Sequence, residues 1–223
     1  SMKYLIHVKG MSNLHTDERA TPSFALNVAV SSRGSDHLRG RPAIDLYNLP
    51  MELLEKIYRS PDGYDGPLTN SFSEYEGKPR MVMWQELCYM AVESLGVCKY
   101  HTVFLSPNHP AFTEFSRLIQ LNVGLEFSEM DLWDCANRCY TIERLFNLRE
   151  GMTRADDILS DRYFDEPTQL GLPAARGKCI DRDRFEAMLD EYYRLHEWDQ
   201  AGIPTPELLE RLDIGELWPP AKN

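Results

Sequence analysis

The stretch from 79 to 100, PRMVMWQELCYMAVESLGVCKY, constrains the fold of this 223-residue chain more than any other. Apolar residues recur in it at spacings of three and four, which indicates a helix with an apolar face. They are Met81, Trp84, Leu87, Cys88, Met90, Ala91 and Leu95. Pro79 suits a first helical turn, where its missing N–H needs no partner, and Gly96 can adopt the left-handed conformation that ends a helix. The pattern therefore predicts a long helix followed directly by Val97 and Cys98, with both of their amides and the Cys98 sulfur facing whatever lies beyond the helix end.

Helix signals also occur in five other segments, which lie over 50–58, 110–121, 128–150, 181–198 and 205–212. Ser128 with Asp131 three residues later forms a capping-box pattern, and Asp181 and Thr205 are residues that cap helix N-termini well. The short apolar run over 23–30 fits a buried helix or a strand equally well. Because strand-like alternation is rare elsewhere, the sequence predicts an all-α fold, a single multihelical domain over residues 1–223.

Charge and cysteine content disfavour several classes of protein. The net charge of −11 argues against a nucleic-acid partner, because phosphates repel an acidic chain. No apolar run approaches the roughly 18 residues that span a bilayer, so no membrane partner is expected. Five cysteines without paired spacing argue against a disulfide scaffold and favour a cytoplasmic protein. The leading Ser1-Met2 looks like a tag remnant before an internal start, so we expect a piece of a longer protein.

Cys98 follows the predicted helix end and is the first candidate for a metal ligand. A thiolate there is a soft ligand suited to iron–sulfur clusters, and Glu93 lies five residues earlier, close enough to point at the same place. A lone cysteine is more often a small buried hydrophobic residue. One cysteine cannot hold a cluster, so if Cys98 is a ligand, the other ligands lie outside this chain.

The turn over 33–39, RGSDHLR, is the second candidate. Arg33 and Arg39 carry guanidinium groups that can bind phosphate in a bidentate manner. His37 beside Asp36 can donate or accept a proton near neutral pH. The alternative interpretation is a solvated basic turn without a ligand.

Two further clusters favour structural roles. Cys135 and Cys139 share a helix face, but their neighbours are apolar, so packing is the preferred interpretation. Asp156, Asp157 and Asp161 form a carboxylate group that lacks the spacing of a calcium-binding loop, and a surface loop is expected there.

Four motifs resemble those of the tungsten-dependent aldehyde:ferredoxin oxidoreductase family. Residues 93–100, ESLGVCKY, resemble its Asp-x-x-Gly-x-Cys segment, and 147–157, NLREGMTRADD, are similar to its N-x-R-E-G-x-x-R-x-D-D stretch. The turn over 32–39 resembles its S/N-R-G-x-x-H-L-R/K motif. Residues 189–194 with 198–205 resemble its C-terminal signature. The motifs stand in the family's order and cover nearly the whole chain.

This resemblance implies cofactors that a longer protein would hold. Full-length members carry two pterins chelating one tungsten, or rarely molybdenum, and a nearby [4Fe-4S] cluster. By the resemblance, Cys98 is the fourth cluster ligand, and the other three cysteines belong to missing N-terminal domains of the same polypeptide. The segment that contacts the pterin comprises Glu93, Leu95, Gly96 and Val97. Arg33 and Arg39 match residues that approach the pterin and its phosphate, and His37 matches a catalytic histidine of the substrate pocket.

The resemblance also implies an activity for the full-length protein. It would oxidise a small aldehyde with water to a carboxylic acid and pass two electrons to ferredoxin, with tungsten supplying the oxygen chemistry. We expect the isolated chain to be inactive and to bind no cofactor. Glu93 replaces the family's usual aspartate, and Asp36 stands where many relatives have cysteine. The alternatives are a fragment of a benzoyl-coenzyme A reductase-type catalytic subunit, with an acyl substrate, and a cofactor-free helical binding protein.

Overall fold

Helices form nearly all of the regular structure. A computed structural model describes residues 5–13, 16–42, 48–102, 106, 108, 110–169, 171, 173 and 175–218. In these ranges the helices are α1 (Pro22–Val30), α2 (Met51–Tyr58), α3 (Lys78–Ser94), α4 (Phe112–Val123), α5 (Glu129–Arg149), α6 (Arg162–Asp165), α7 (Arg182–Leu195) and α8 (Pro206–Arg211). An antiparallel hairpin of β1 (His7–Val8) and β2 (Met11–Ser12) precedes them. The predicted all-α, multihelical fold class is confirmed.

Helix α3 lies at the centre of the fold. It packs against α1, α5 and α7, and every residue from Lys78 to Val92 is buried. The predicted helix is present, but its apolar face is only part of its buried surface, because neighbours cover α3 on all sides. Among its buried polar residues, Arg80 pairs with Asp62 at 2.8 Å and donates to the Tyr58 carbonyl at 2.8 Å.

Helix α1 resolves the ambiguity over residues 23–30. The segment is helical, Pro22 occupies its first turn, and all nine residues are buried. A helix buried on every face shows no amphipathic period, which explains why the sequence pattern could not distinguish it from a strand.

The predicted helix ends agree closely with the structure. Ser128 Oγ accepts from the Asp131 amide at 3.1 Å, and Asp131 accepts from the Ser128 amide at 2.8 Å, so the capping box is confirmed. Asp181 caps α7 and Thr205 caps α8 through their side chains. Gly96 has a φ of +69°, the left-handed conformation predicted for the end of α3.

A continuous hydrophobic core extends from Val8 in the hairpin to Ile214 after α8. Edge-to-face aromatic contacts join α2, α3, α4 and α5 within it: ring centroids lie 5.4 Å apart for Tyr58–Trp84 and for Trp84–Phe112, and 5.2 Å apart for Phe112–Trp133. This packing fixes the N-terminal half of α3 relative to α2, α4 and α5. Over the described ranges, no helix is both long and apolar enough to cross a lipid bilayer.

Candidate functional site

The turn over 33–39 packs against the N-terminal hairpin. Gly34 has a φ of +100°, and a Cβ atom there would lie 3.0 Å from the Met11 sulfur and 3.0 Å from the Val8 carbonyl oxygen. Asp36 accepts from the Leu38 amide at 2.8 Å and caps a short 3-10 helix over His37–Arg39. Much of this turn is buried, so the alternative of a fully solvated basic turn does not hold.

Arg39 is the centre of an ion-pair cluster that joins three elements. Its Nη1 donates to Glu93 at the end of α3 at 2.9 Å, and its Nη2 bonds to Glu143 of α5 and to Ser32 Oγ, the latter at 3.1 Å. Ser32 Oγ in turn donates to Glu143 at 2.7 Å. Only 9% of the Arg39 side chain is exposed, so its guanidinium group is directed to these partners rather than to solvent.

Lys99 connects Cys98 to the same cluster. Its Nζ lies 2.6 Å from Glu93 and donates to the Leu38 carbonyl at 2.5 Å. Cys98 itself is exposed beyond the end of α3. We call the surface formed by Arg33, Arg39, Glu93, Cys98 and Glu143 the arginine–cysteine surface.

The backbone at the end of α3 differs from the sequence expectation. The Leu95, Gly96 and Val97 amides donate back into the helix, to Ala91 at 3.1 Å, Glu93 at 3.1 Å and Val92 at 2.9 Å, respectively. The expectation that the Val97 amide would face outward was wrong, because the left-handed Gly96 returns it to the helix. Space around Gly96 is open, since a Cβ atom there would meet nothing within 4 Å.

The other two predicted residues of the turn differ in exposure. Arg33 is 59% exposed at its side chain and bonds to Asp36, with its Nε at 2.5 Å. His37 is half-buried beside it. The structure thus brings Arg39, Glu93 and the segment around Cys98 into direct contact, and it leaves Arg33 as the more accessible of the two arginines.

Three residues on or next to this surface were missed or given no role by the sequence analysis. Glu143 lies 104 positions from Arg39 and belongs to no motif. Lys99 stands inside a quoted motif, but its contacts across the surface leave no trace in local spacing. Asn147, in the 147–157 stretch, donates to the Ser32 carbonyl at 2.6 Å and so joins that stretch to the turn.

Asp157 is buried, which corrects the expectation of a surface loop at this residue, whereas Asp156 and Asp161 are exposed as expected. It lies 2.8 Å from Lys9 Nζ and 2.8 Å from Arg144 Nη1, and Tyr193 also donates to it. Burial lowers the pKa of Lys9, and the nearby Asp157 carboxylate opposes that effect. Asp157 therefore links the hairpin to α5 and α7; motif spacing does not show this, because Lys9 and Arg144 lie outside the motif that contains Asp157.

A buried polar cluster lies beneath the arginine–cysteine surface. Tyr192 donates to Glu86 Oε2 at 2.8 Å, and His196 Nε2 lies 3.3 Å from the same oxygen. The Tyr140 and Tyr192 hydroxyls are 2.9 Å apart. Burial raises the pKa of Glu86 to about 8 and lowers that of His196 to about 3, so both side chains are neutral at pH 7.

Potential metal ligands are sparse in the described residues, where no three His, Cys, Asp or Glu side chains converge to hold an ion. Cys98 is the exposed thiol among the five cysteines; Cys88 is buried, and the others are half-buried. A complete metal site is thus not formed within the part of the chain that the structure describes.

Comparison with known protein families identifies the chain. The family model described as "Aldehyde ferredoxin oxidoreductase, domains 2 & 3" matches residues 1–214. The chain belongs to the aldehyde ferredoxin oxidoreductase family. The resemblance drawn from the four motifs is therefore confirmed.

Curated relatives of this aldehyde ferredoxin oxidoreductase family member are much longer than the chain. It is 28% identical over 203 residues to the tungsten-containing aldehyde ferredoxin oxidoreductase of Pyrococcus furiosus, covering 91% of the chain and 29% of that protein. It is 26% identical to the enzyme of the same description from Thermococcus kodakarensis, covering 96% of the chain and 32% of that protein. A Pyrococcus furiosus protein described as an aliphatic sulfonate oxidoreductase, WOR-like subunit, is also 26% identical, with 96% and 28% covered. The chain spans about three tenths of the length of these relatives.

A solved structure shares the fold. The active-site complex BamBC of benzoyl coenzyme A reductase, in complex with 1,5-dienoyl-CoA, matches with a TM-score of 0.62 over 88% of this chain and 30% of that one. The sequence identity is 24%, so the match concerns the fold alone.

Proposed function

We propose that this chain is the C-terminal part of an oxidoreductase that holds a tungsten bis-pterin and a [4Fe-4S] cluster and oxidises aldehydes to carboxylic acids. The observation that carries the proposal is the placement of Cys98, an exposed thiol at the end of α3 whose neighbour Lys99 contacts both Glu93 and the carbonyl of Leu38. This arrangement puts a soft ligand beside the charged groups that the family resemblance assigns to the pterin.

The donor set fits a cluster shared with another part of the polypeptide. A [4Fe-4S] cluster takes four thiolates, and the exposed Cys98 supplies one. The known relatives are about three times longer than this chain, which leaves room for the other three cysteines in the missing N-terminal domains. Cys98 would then complete the cluster when those domains cover the arginine–cysteine surface.

Glu93 and Glu143 suit the nitrogen-bearing edge of a pterin. Both carboxylates are 37% exposed, and each can accept further N–H donors besides Arg39. Arg33, the more exposed arginine, is the better donor for a cofactor phosphate, whereas Arg39 orients the two carboxylates. The longer reach of Glu93, compared with the family's aspartate, is compatible with its simultaneous bonds to Arg39 and Lys99.

The chain's contribution to the reaction is orientation and proton handling. Tungsten, when bound, supplies the oxygen chemistry that turns aldehyde and water into a carboxylic acid, and two electrons leave through the cluster to ferredoxin. His37, half-buried beside the exposed Arg33, is assigned to hydrogen bonding or proton transfer with the substrate.

The test uses the full-length parent protein, produced with tungstate in the medium. We expect tungsten, cluster iron and aldehyde-dependent reduction of ferredoxin, rather than reduction of an aromatic acyl-coenzyme A. Cys98→Ser should lower iron content and the visible cluster absorbance, whereas Cys179→Ser, at a half-buried cysteine outside the surface, should leave both unchanged. Unaltered iron and absorbance in the Cys98 variant would show that Cys98 is not a ligand.

A further inference from the structure

Two levels of polar side chains line the contact between α3 and α5. Glu86 lies seven residues, about two turns, before Glu93 on one face of α3. Tyr140 and Glu143 lie about one turn apart on α5. In the upper level Glu93 and Glu143 bind Arg39 at the surface. The lower level, with Glu86 and Tyr140, is buried beneath it.

Glu86 contacts the backbone directly after Arg39. A Cβ atom on Gly40 would lie 2.4 Å from Glu86 Cγ, 3.0 Å from its Oε1 and 3.1 Å from Asn27 Nδ2. The φ of Gly40 is 177°, an extended conformation open to any residue, so the close approach and not the torsion requires glycine. The Glu86 side chain therefore packs directly against the backbone that follows Arg39.

Glu86 and Arg39 each keep one buried polar atom that bonds to no other described residue. Within the described ranges, Glu86 Oε1 and Arg39 Nε are buried and make no hydrogen bond. The other Glu86 oxygen already has Tyr192 and His196 as partners. A buried carboxyl oxygen and a buried guanidinium N–H thus stand near one turn, and Asn27 Nδ2, which is also buried and unbonded, is a further donor beside that oxygen.

The groups that face Glu86 come from three elements. Tyr192 and His196 approach from α7, Tyr140 from α5 and Arg39 from the 3-10 turn. Burial raises the tyrosine pKa values well above 10 and holds His196 neutral, so these three groups keep their charge state between pH 6 and 9. Burial chiefly raises the pKa of Glu86, and the negative charge of Asp157 raises it further, while the hydrogen bond from Tyr192, the nearby Tyr140 hydroxyl and the charge of Arg39 act in the opposite direction. With its raised pKa, Glu86 is the group of this cluster that we expect to change charge in this range.

We propose that Glu86 is a positioning residue for Arg39. When Glu86 is neutral, the Arg39 guanidinium group stays with Glu93 and Glu143; when Glu86 is ionised, it draws that group inward. With Glu86 neutral, the positive charges of Arg39 and Lys99 balance the carboxylates Glu93 and Glu143. Ionisation adds a buried negative charge, which attracts the nearest cation strongly because the interior screens it poorly. The inference rests on the proposed function only in giving Arg39 a place beside the cofactor.

The test is an NMR titration of the 223-residue chain from pH 6 to 9.5, following the Arg39 Nε–H and the Gly40 amide. We expect both signals of the wild-type chain to shift with one midpoint near pH 8. Glu86→Gln should abolish the shift, and Glu86→Asp should restore it at a displaced midpoint. Glu210→Gln, at an exposed carboxylate on α8, should behave as wild type.

Several outcomes would overturn the proposal. A flat Arg39 signal in the wild-type chain, or a shift that persists in Glu86→Gln, would exclude Glu86 as its cause. Circular dichroism of each variant separates a folding defect from this result, and the Glu86→Asp variant supplies the decision if the glutamine variant does not fold. The experiment uses no cofactor, so a negative result for Glu86 leaves the assignment of Cys98 as a cluster ligand intact. Likewise, loss of the Cys98 assignment would leave the proposal for Glu86 intact.

Discussion

Arg39 illustrates how burial changes what a single side chain can do. In the sequence it is one of two equivalent phosphate-binding arginines, whereas in the structure it bonds to Glu93, Glu143 and Ser32 and is nearly enclosed. Arg33 retains the exposure that a ligand needs. The difference depends on partners far along the chain, which local spacing cannot show.

Replacing Arg39 by lysine should therefore destabilise the chain, because lysine keeps the charge but loses the planar fork that bonds two carboxylates at once. We expect the free energy of unfolding to fall by about 1–2 kcal/mol, as for loss of charge-assisted hydrogen bonds. Urea denaturation measures the change. Arg33→Lys, at the exposed arginine, serves as the control and should stay within about 0.5 kcal/mol of wild type.

Glu86 should make the stability of the chain depend on pH. Burial raises its pKa from 4.5 to about 8, so between these values the native chain keeps a proton that the unfolded chain has released. The free energy of unfolding consequently falls as the pH rises through this window. Glu86→Gln removes this fall, and the stability of the variant relative to wild type should rise by roughly 3 kcal/mol between pH 5 and pH 8. Equal pH dependence of the two chains in urea titrations would show that Glu86 titrates normally.

At the scale of elements, the sequence predicted where helices begin and end better than what surrounds them. The caps at Ser128, Asp181 and Thr205 were found because capping is a local property of a few residues. The complete burial of α3 was missed, since its neighbours come from distant segments. The position of Glu86 among the apolar residues of α3 was the sequence feature that could have indicated a buried polar site.

The capping box of α5 gives a prediction at this scale. Ser128→Ala removes the hydroxyl that accepts from the Asp131 amide and should cost about 1 kcal/mol of unfolding free energy. Thermal or urea denaturation provides the measurement. Ser73→Ala, in an exposed loop, should change stability little; similar losses in both variants would argue against a specific capping effect.

For the whole molecule, the motifs led to the family, and the structure supplied the contacts between them. The turn over 32–39, the end of α3 and the 147–157 stretch meet through Lys99, Ser32 and Asn147, although they are far apart in sequence. The order of the motifs along the chain indicated the family, because motif order is kept when the sequences of relatives diverge. Their mutual geometry is a tertiary property and required the fold.

The isolated chain should not assemble a cubane cluster. Reconstitution with iron and sulfide under anaerobic conditions should give no cluster absorbance above that of the Cys98→Ser variant, since one exposed thiolate cannot replace four. Visible spectroscopy and iron analysis decide the matter. If the isolated chain bound four irons with a stable cluster absorbance that required Cys98, the proposal that the cluster is shared with another part of the polypeptide would be wrong.

The contact of Lys99 with the Leu38 carbonyl has a consequence for assembly. Because Lys99, the residue after Cys98, is bonded to the neighbouring turn and to Glu93, the backbone that carries the Cys98 thiol is held in a fixed position. A domain that docks here would contact a surface on which Arg39 and Lys99 are already paired with Glu93 and Glu143. Docking on this surface would require little rearrangement.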